Sequence, residues 1–136
     1  MRADPVNRPP SSVPDVNLVI LVGTCSRPVV VRRLPSGEEV AEVDLTTRAD
    51  GPARSAPVRI TAPATDVRGL GPGDEVTVVG SVRRRFFRSG GATATRVEVD
   101  ACVVVVGRDR RRTRAALRRA VAPIEALIDP PKPGSP

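Results

Sequence analysis

The chain has 136 residues, with 22 Lys+Arg against 15 Asp+Glu, a formal charge of +7, no His, no Trp, no Tyr and two Phe. That length holds one domain with tails, and the basic balance favours an anionic partner, nucleic acid ahead of a membrane surface. Without His, and with Cys25 and Cys102 far apart and outside any CxxC pair, neither a metal site nor a disulfide framework is expected; both thiols read as reduced and buried.

Residues 1–15 are rich in Pro and Ser and show no periodicity, so they read as a disordered leader. They contain no apolar stretch of the kind a secretory signal needs, and the runs "LVILV" and "CVVVV" are too short to cross a bilayer. A soluble, cytoplasmic protein is expected. Residues 16–107 form a strand-rich body. "VNLVILVG" is a continuous apolar run closed by Gly23, as in a strand buried on both faces. "VVVRRLPSGEEV" continues it into a turn at Pro35-Ser36-Gly37.

In "VAEVDLTT", Ala41, Val43 and Leu45 alternate with Glu42, Asp44 and Thr46, which leaves one face wet. "APVRITA" is a third strand with Val58 and Ile60 inward. A turn or single helical turn then leads to Pro72-Gly73-Asp74. "EVTVVGSVRRRFF" is the fourth strand and, after Gly90-Gly91, "ATATRVEVDACVVVV" is the fifth. Simple alternation puts Val97, Val99, Ala101, Val103 and Val105 of that last strand on one face. Five strands with one irregular connector suit an all-β, five-stranded closed barrel better than a sandwich.

These segments together resemble bacterial single-stranded DNA-binding proteins, which are OB-folds. Asn17, Gly23, Pro35, Gly37, Val40, Leu45, Gly73, Val76, Val78 and Gly80 stand at the matching places, across residues 16–106. A weaker resemblance is to the primosomal replication protein N group, dimeric relatives on the same fold. The resemblance implies an OB-fold domain over 16–107, a homodimer or homotetramer, and single-stranded DNA as partner, with RNA as the other candidate.

The two aromatic residues sit side by side in "RRRFFRSGG". Successive strand residues point to opposite faces, so Phe86 shares the side of Val76, Val78 and Val82, whereas Phe87 shares the side of Arg83 and Arg85. One ring is thereby assigned to the barrel and the other to a basic face. Phe87 also falls where the resembled family commonly carries a base-stacking aromatic. The alternative is that both rings cap the barrel or pack on a neighbouring subunit.

Departures from the family pattern are specific. Ser55 and Thr61 stand near positions where aromatics are frequent, Arg33 replaces a frequent Tyr, and Glu42 and Asp44 add negative charge to the polar face. Binding would then lean on arginine and counterion release, and so be salt-sensitive. The family's acidic, Phe-tipped tail has no counterpart in "PPKPGSP". Before it, residues 108–129 carry Leu117, Val121, Ile124 and Ile128 at helical spacing, with Arg111, Arg114 and Arg118 as a separate stripe and Pro123 as a kink or break. This basic amphipathic segment either adds phosphate contacts, docks a partner, packs on its own barrel or dimerises; residues 130–136 read as a disordered tail.

No nucleophile motif, phosphate-binding Gly loop or general-base His is present, so no enzyme, cofactor or small-molecule substrate is expected. Two readings remain. The first is a nucleoid-associated single-stranded DNA-binding protein of replication, recombination or repair. In it Arg33, Arg48, Arg54, Arg59, Arg83, Arg85 and Arg88 hold phosphates and Phe87 stacks. The second is an adaptor on the same fold, with weak or no DNA binding, that partners a single-stranded DNA-binding homologue.

Overall fold

The computed structural model describes residues 15–47 and 57–129. It contains β1 (Val19–Cys25), β2 (Val30–Arg33), β3 (Glu39–Thr46), β4 (Pro57–Pro63), a 3-10 turn over Ala64–Val67, β5 (Glu75–Ser89), β6 (Ala92–Val106) and α1 (Arg110–Ile128). The strands join in the order β1-β5-β6-β4-β3-β2, and β1 returns to β3 through Thr24↔Thr46 and Cys25↔Leu45. That last pairing closes the sheet into an OB-type barrel. The six strands are the five expected ones with the first divided. Between β1 and β2 the Ser26 N–H bonds the Asp44 carbonyl at 2.9 Å, the chain bends at Arg27, and Pro28 has no N–H to continue a ladder.

Alternation sets the core. In β3, Ala41, Val43 and Leu45 are buried while Glu42, Asp44 and Thr46 are half-buried on the other side. Ile60 and Ala62 of β4, Val76 and Val78 of β5 and Val99 of β6 face them, with Cys25 at the end of β1. Val67 and Leu70, after the 3-10 turn, join this cluster from the barrel's end. Each such aliphatic side chain, fully buried, contributes ~1.5–3 kcal/mol of transfer free energy.

One expectation about faces is overturned: Val97–Val105 do not share one side. The register runs Gly80↔Ala101 and then Val79↔Val103, so Cys102 is an extra residue in β6, a β-bulge. Beyond it the alternation inverts: Val99 and Ala101 face the barrel, and so do Val104 and Val106, while Val103 and Val105 point outward. The bulge also places Cys102 at the surface, so only Cys25 of the two thiols is buried. Burial pushes the Cys25 thiol up in pKa, although its Sγ donates to the Arg27 carbonyl at 3.1 Å; it stays protonated and unreactive.

The described residues cover β1 on one face. Val19 and Leu21 pack on the core, but Val22 is 57% exposed on the outer side. α1 packs against β5 and β6, outside the barrel, where the outward residues Thr77, Val79 and Val105 are buried. Asp109 caps the helix by accepting from the Arg112 N–H at 3.0 Å. The helix runs on through Pro123 to Ile128.

Candidate nucleic-acid interface

β5 and β6 are each 15 residues long and outrun the barrel. From Val82↔Val99 outward they form a free-standing hairpin that turns at Gly90 and Gly91. Both glycines have positive φ, 58° and 82°, as a two-residue turn matched to strand twist requires. Asn17 secures the hairpin's root: its Nδ2 donates to the Val82 carbonyl at 2.9 Å and its Oδ1 accepts from the Val82 N–H at 2.8 Å. The side-chain amide thus continues the β1–β5 pairing by one more rung.

One side of the hairpin carries Arg83, Arg85 and Phe87 of β5 with Arg96, Glu98 and Asp100 of β6. The Arg96 guanidinium lies over the Phe87 ring, 5.2 Å from its centroid. Phe87 is 38% exposed. Arg85 approaches Glu98 and Arg83 approaches Asp100, each at 3.7 Å. Glu98 is buried and also accepts from the Thr61 hydroxyl at 2.8 Å, which links the hairpin to β4.

The same outer face continues across β4, β3 and β2 as a lattice of ion pairs. Arg59 donates from Nε to Asp44 at 2.8 Å and from Nη1 to Glu42 at 2.6 Å, and Arg32 meets Glu42 from the other side at 2.6 Å. The Asp44 hydrogen bond holds the Arg59 guanidinium above even its ordinary pKa, against the opposing pull of its own desolvation. Glu42 and Asp44 therefore do not leave the face negative, because arginine neutralises them in place.

The arginines picked from the sequence fall in different settings. Arg83, Arg85 and Phe87 come together on one side of the hairpin, with Arg88 on the other. Arg33 lies beside the β2–β3 turn and pairs with Glu39 at 3.2 Å, while Arg59 is committed to the carboxylates of β3. Arg48 and Arg54 lie outside the described residues. Sequence reading misses Arg96, whose pairing with Phe87 depends on the cross-strand register, and Arg32, which lies opposite Val40.

Phe86 departs from its expected setting. Alternation does place it on the side of Val76, Val78 and Val82, but past Val82 there is no barrel left to face, and the ring is 65% exposed. It shares the hairpin's second side with Val82 (45%) and Val97 (63%), and with the exposed Arg84 and Arg88.

No protein-family model matches the chain. No curated protein matches it either. Among solved structures the chain is similar to the Plasmodium falciparum SSB complex with ssDNA, with a TM-score of 0.56 and 18% identity, over 68% of this chain and 95% of that one. At that identity the likeness is one of fold. No described helix is long and apolar enough to cross a membrane.

Proposed function

We propose that the protein binds single-stranded DNA through the β5–β6 hairpin of its barrel. The observation that carries this reading is Phe87, a half-exposed ring with Arg83, Arg85 and Arg96 on its own side of a projecting hairpin. A ring stacks on any base, and guanidinium groups beside it hold the phosphates that flank that base. The solved structure of similar fold is a complex with ssDNA, which supports the same assignment. Arg88 at the hairpin end, and Arg33, Arg48 and Arg54 around β2 and the β3–β4 connection, extend the phosphate path; Arg59 serves chiefly to neutralise β3. A role in replication, recombination or repair, in the cytoplasm and as a homodimer or homotetramer, accompanies this reading.

One observation favours the adaptor reading instead. Of the ten barrel arginines in segments 15–47 and 57–107, Arg27, Arg32, Arg33, Arg59, Arg83 and Arg85 already face carboxylates. Fluorescence anisotropy with labelled oligothymidine at low salt, followed by a salt titration, separates the two. A DNA-binding protein gives saturable binding whose log affinity falls linearly with log salt. An adaptor gives weak binding or none. Oligouridine in parallel reports the RNA arm.

A further inference from the structure

We propose that α1 is a second phosphate-binding element, which takes the single-stranded DNA onward after it leaves the barrel. This rests on the DNA-binding reading above. The charge of the described chain is strongly partitioned. Residues 15–47 and 57–107 hold ten Arg and ten Asp+Glu, a net charge of zero, whereas residues 108–129 hold seven Arg and three Asp+Glu, a net +4. The barrel arginines are largely paired. On the helix, Arg110, Arg111, Arg112, Arg114, Arg118 and Arg119 make no ion pair with any described residue, and all are exposed.

The helix is also arranged against its own electrostatics. Beyond the Asp109 cap, its first turn contains arginines and no acid, at the end where the backbone dipole favours negative charge. Arg110, Arg114 and Arg118 follow one another at i, i+4 spacing, so like charges stack along one face. Arg110, Arg111, Arg114 and Arg118 surround a shallow hollow with Ala115 at its floor. An anion seated there relieves both repulsions at once, and the planar guanidinium fork suits phosphate oxygens.

Placement makes the ligand the same strand of DNA. Outward residues of β5 lie on one side of the strand: Thr77 and Val79 near α1, then Arg83, Arg85 and Phe87 toward the hairpin tip. α1 starts beside Glu75, where Arg108 Nε meets that carboxylate at 3.1 Å. The hairpin's basic side, Arg83 to Phe87, therefore lies eight to twelve residues along β5 from the start of α1, about 26–40 Å away at ~3.3 Å per residue. A membrane surface fits less well. A bilayer-lying helix needs its apolar face free, whereas Thr113, Ala116, Leu117, Ala120 and Val121 are buried or half-buried.

The test compares two double variants of the full chain with equal charge change: Arg111→Gln with Arg118→Gln on the hollow, and Arg112→Gln with Arg119→Gln on the opposite flank. Gln keeps helix propensity, and Arg111→Lys with Arg118→Lys retains charge as a further control. Binding is read on oligothymidine of about 30 nucleotides and of about 4, the latter spanning roughly 20 Å even when unstacked to about twice the ~3.4 Å stacked rise, and so too short to reach both regions. On the long strand the hollow variant should bind on the order of tenfold more weakly, with a salt slope flatter by about 1.4, at ~0.7 per lost contact. It should match the parent on the short strand, and the flank and lysine variants should stay close to the parent on both.

Equal losses from both Gln variants, or none from either, overturn the inference while leaving the hairpin reading intact. So does an equal loss on the short strand. Loss of binding to phosphatidylserine vesicles with unchanged DNA binding replaces it with a membrane role. If the parent binds neither oligonucleotide, the inference and the reading beneath it fall together.

Discussion

Arg96 lies over Phe87 across the hairpin, its guanidinium carbon 5.2 Å from the ring centroid. A cation held on one face of an exposed ring is worth ~0.5–1 kcal/mol and fixes the ring's orientation. The ring is thus positioned for stacking before any base arrives, with a phosphate-binding group beside it. Phe87→Ala should weaken oligothymidine binding by ~1–3 kcal/mol and leave the salt slope unchanged, because a ring releases no counterions. Anisotropy at several salt concentrations measures both quantities. Undiminished affinity would remove Phe87 from the interface.

Arg85→Ala should behave differently. In the unbound protein Arg85 is the cation nearest to buried Glu98, at 3.7 Å, and Thr61 supplies that carboxylate's hydrogen bond. Its loss should flatten the salt slope by about 0.7, one single-strand phosphate contact. It should also cost ~1–2 kcal/mol of stability, since a hydrogen-bonded carboxylate is left without its cation at a partly screened site. A change in urea midpoint without a change in slope would make Arg85 a purely structural residue.

The 65% exposure of Phe86 sets its own test. A fully buried Phe costs ~3–5 kcal/mol on truncation to Ala, but a ring this open should cost less than ~1 kcal/mol. Urea denaturation of Phe86→Ala reads this directly. A loss of several kcal/mol would mean that the ring is covered in solution, by a second copy of the chain.

Assembly follows from the edge of β1. Val19–Thr24 pair with β5 on one side, but on the other, among the described residues, only Thr24 and Cys25 pair, with β3. An open strand edge beside exposed Val22 invites strand pairing with another copy. Sedimentation at micromolar concentration should show a dimer or tetramer. A stable species at the 14.4 kDa of one chain would count against it.

The barrel was legible in the sequence wherever period-2 patterning met a single wet face. Ala41, Val43 and Leu45 fall inward as alternation requires, and both long strands are bounded by the Gly90-Gly91 turn. What alternation could not reveal was an interruption of itself: nothing in "DACVVVV" marks Cys102 as the extra residue, because every neighbour is apolar on either face. Nor does alternation report how far a strand outruns its barrel, which is why Phe86 shares the core's side without sharing the core. For the candidate site, residue type pointed to arginines, but which of them are neutralised depends on register. Arg59 sits opposite Asp44 and diagonal to Glu42 only because β3 and β4 pair Asp44↔Arg59.

The bulge at Cys102 carries the last prediction, through Gly80. An added Cβ at Gly80 would run into the backbone carbonyl oxygen of Asp100, and would come within 3.0 Å of the Ala101 Cα. Both obstacles are backbone, so no side chain can swing aside to make room. Gly80 is buried and its φ is not positive, so the requirement is space rather than conformational freedom. Gly80→Ala should therefore destabilise the fold by ~1–3 kcal/mol, the usual cost of forcing a group into packed structure. Urea denaturation measures this cost, and thiol labelling reports whether the fold around β6 stays closed. In the parent, Cys102 should react at once and Cys25 only on unfolding. In Gly80→Ala the same pattern with a lowered urea midpoint is expected, whereas an unchanged midpoint would show that β5 and β6 do not meet this closely at the bulge.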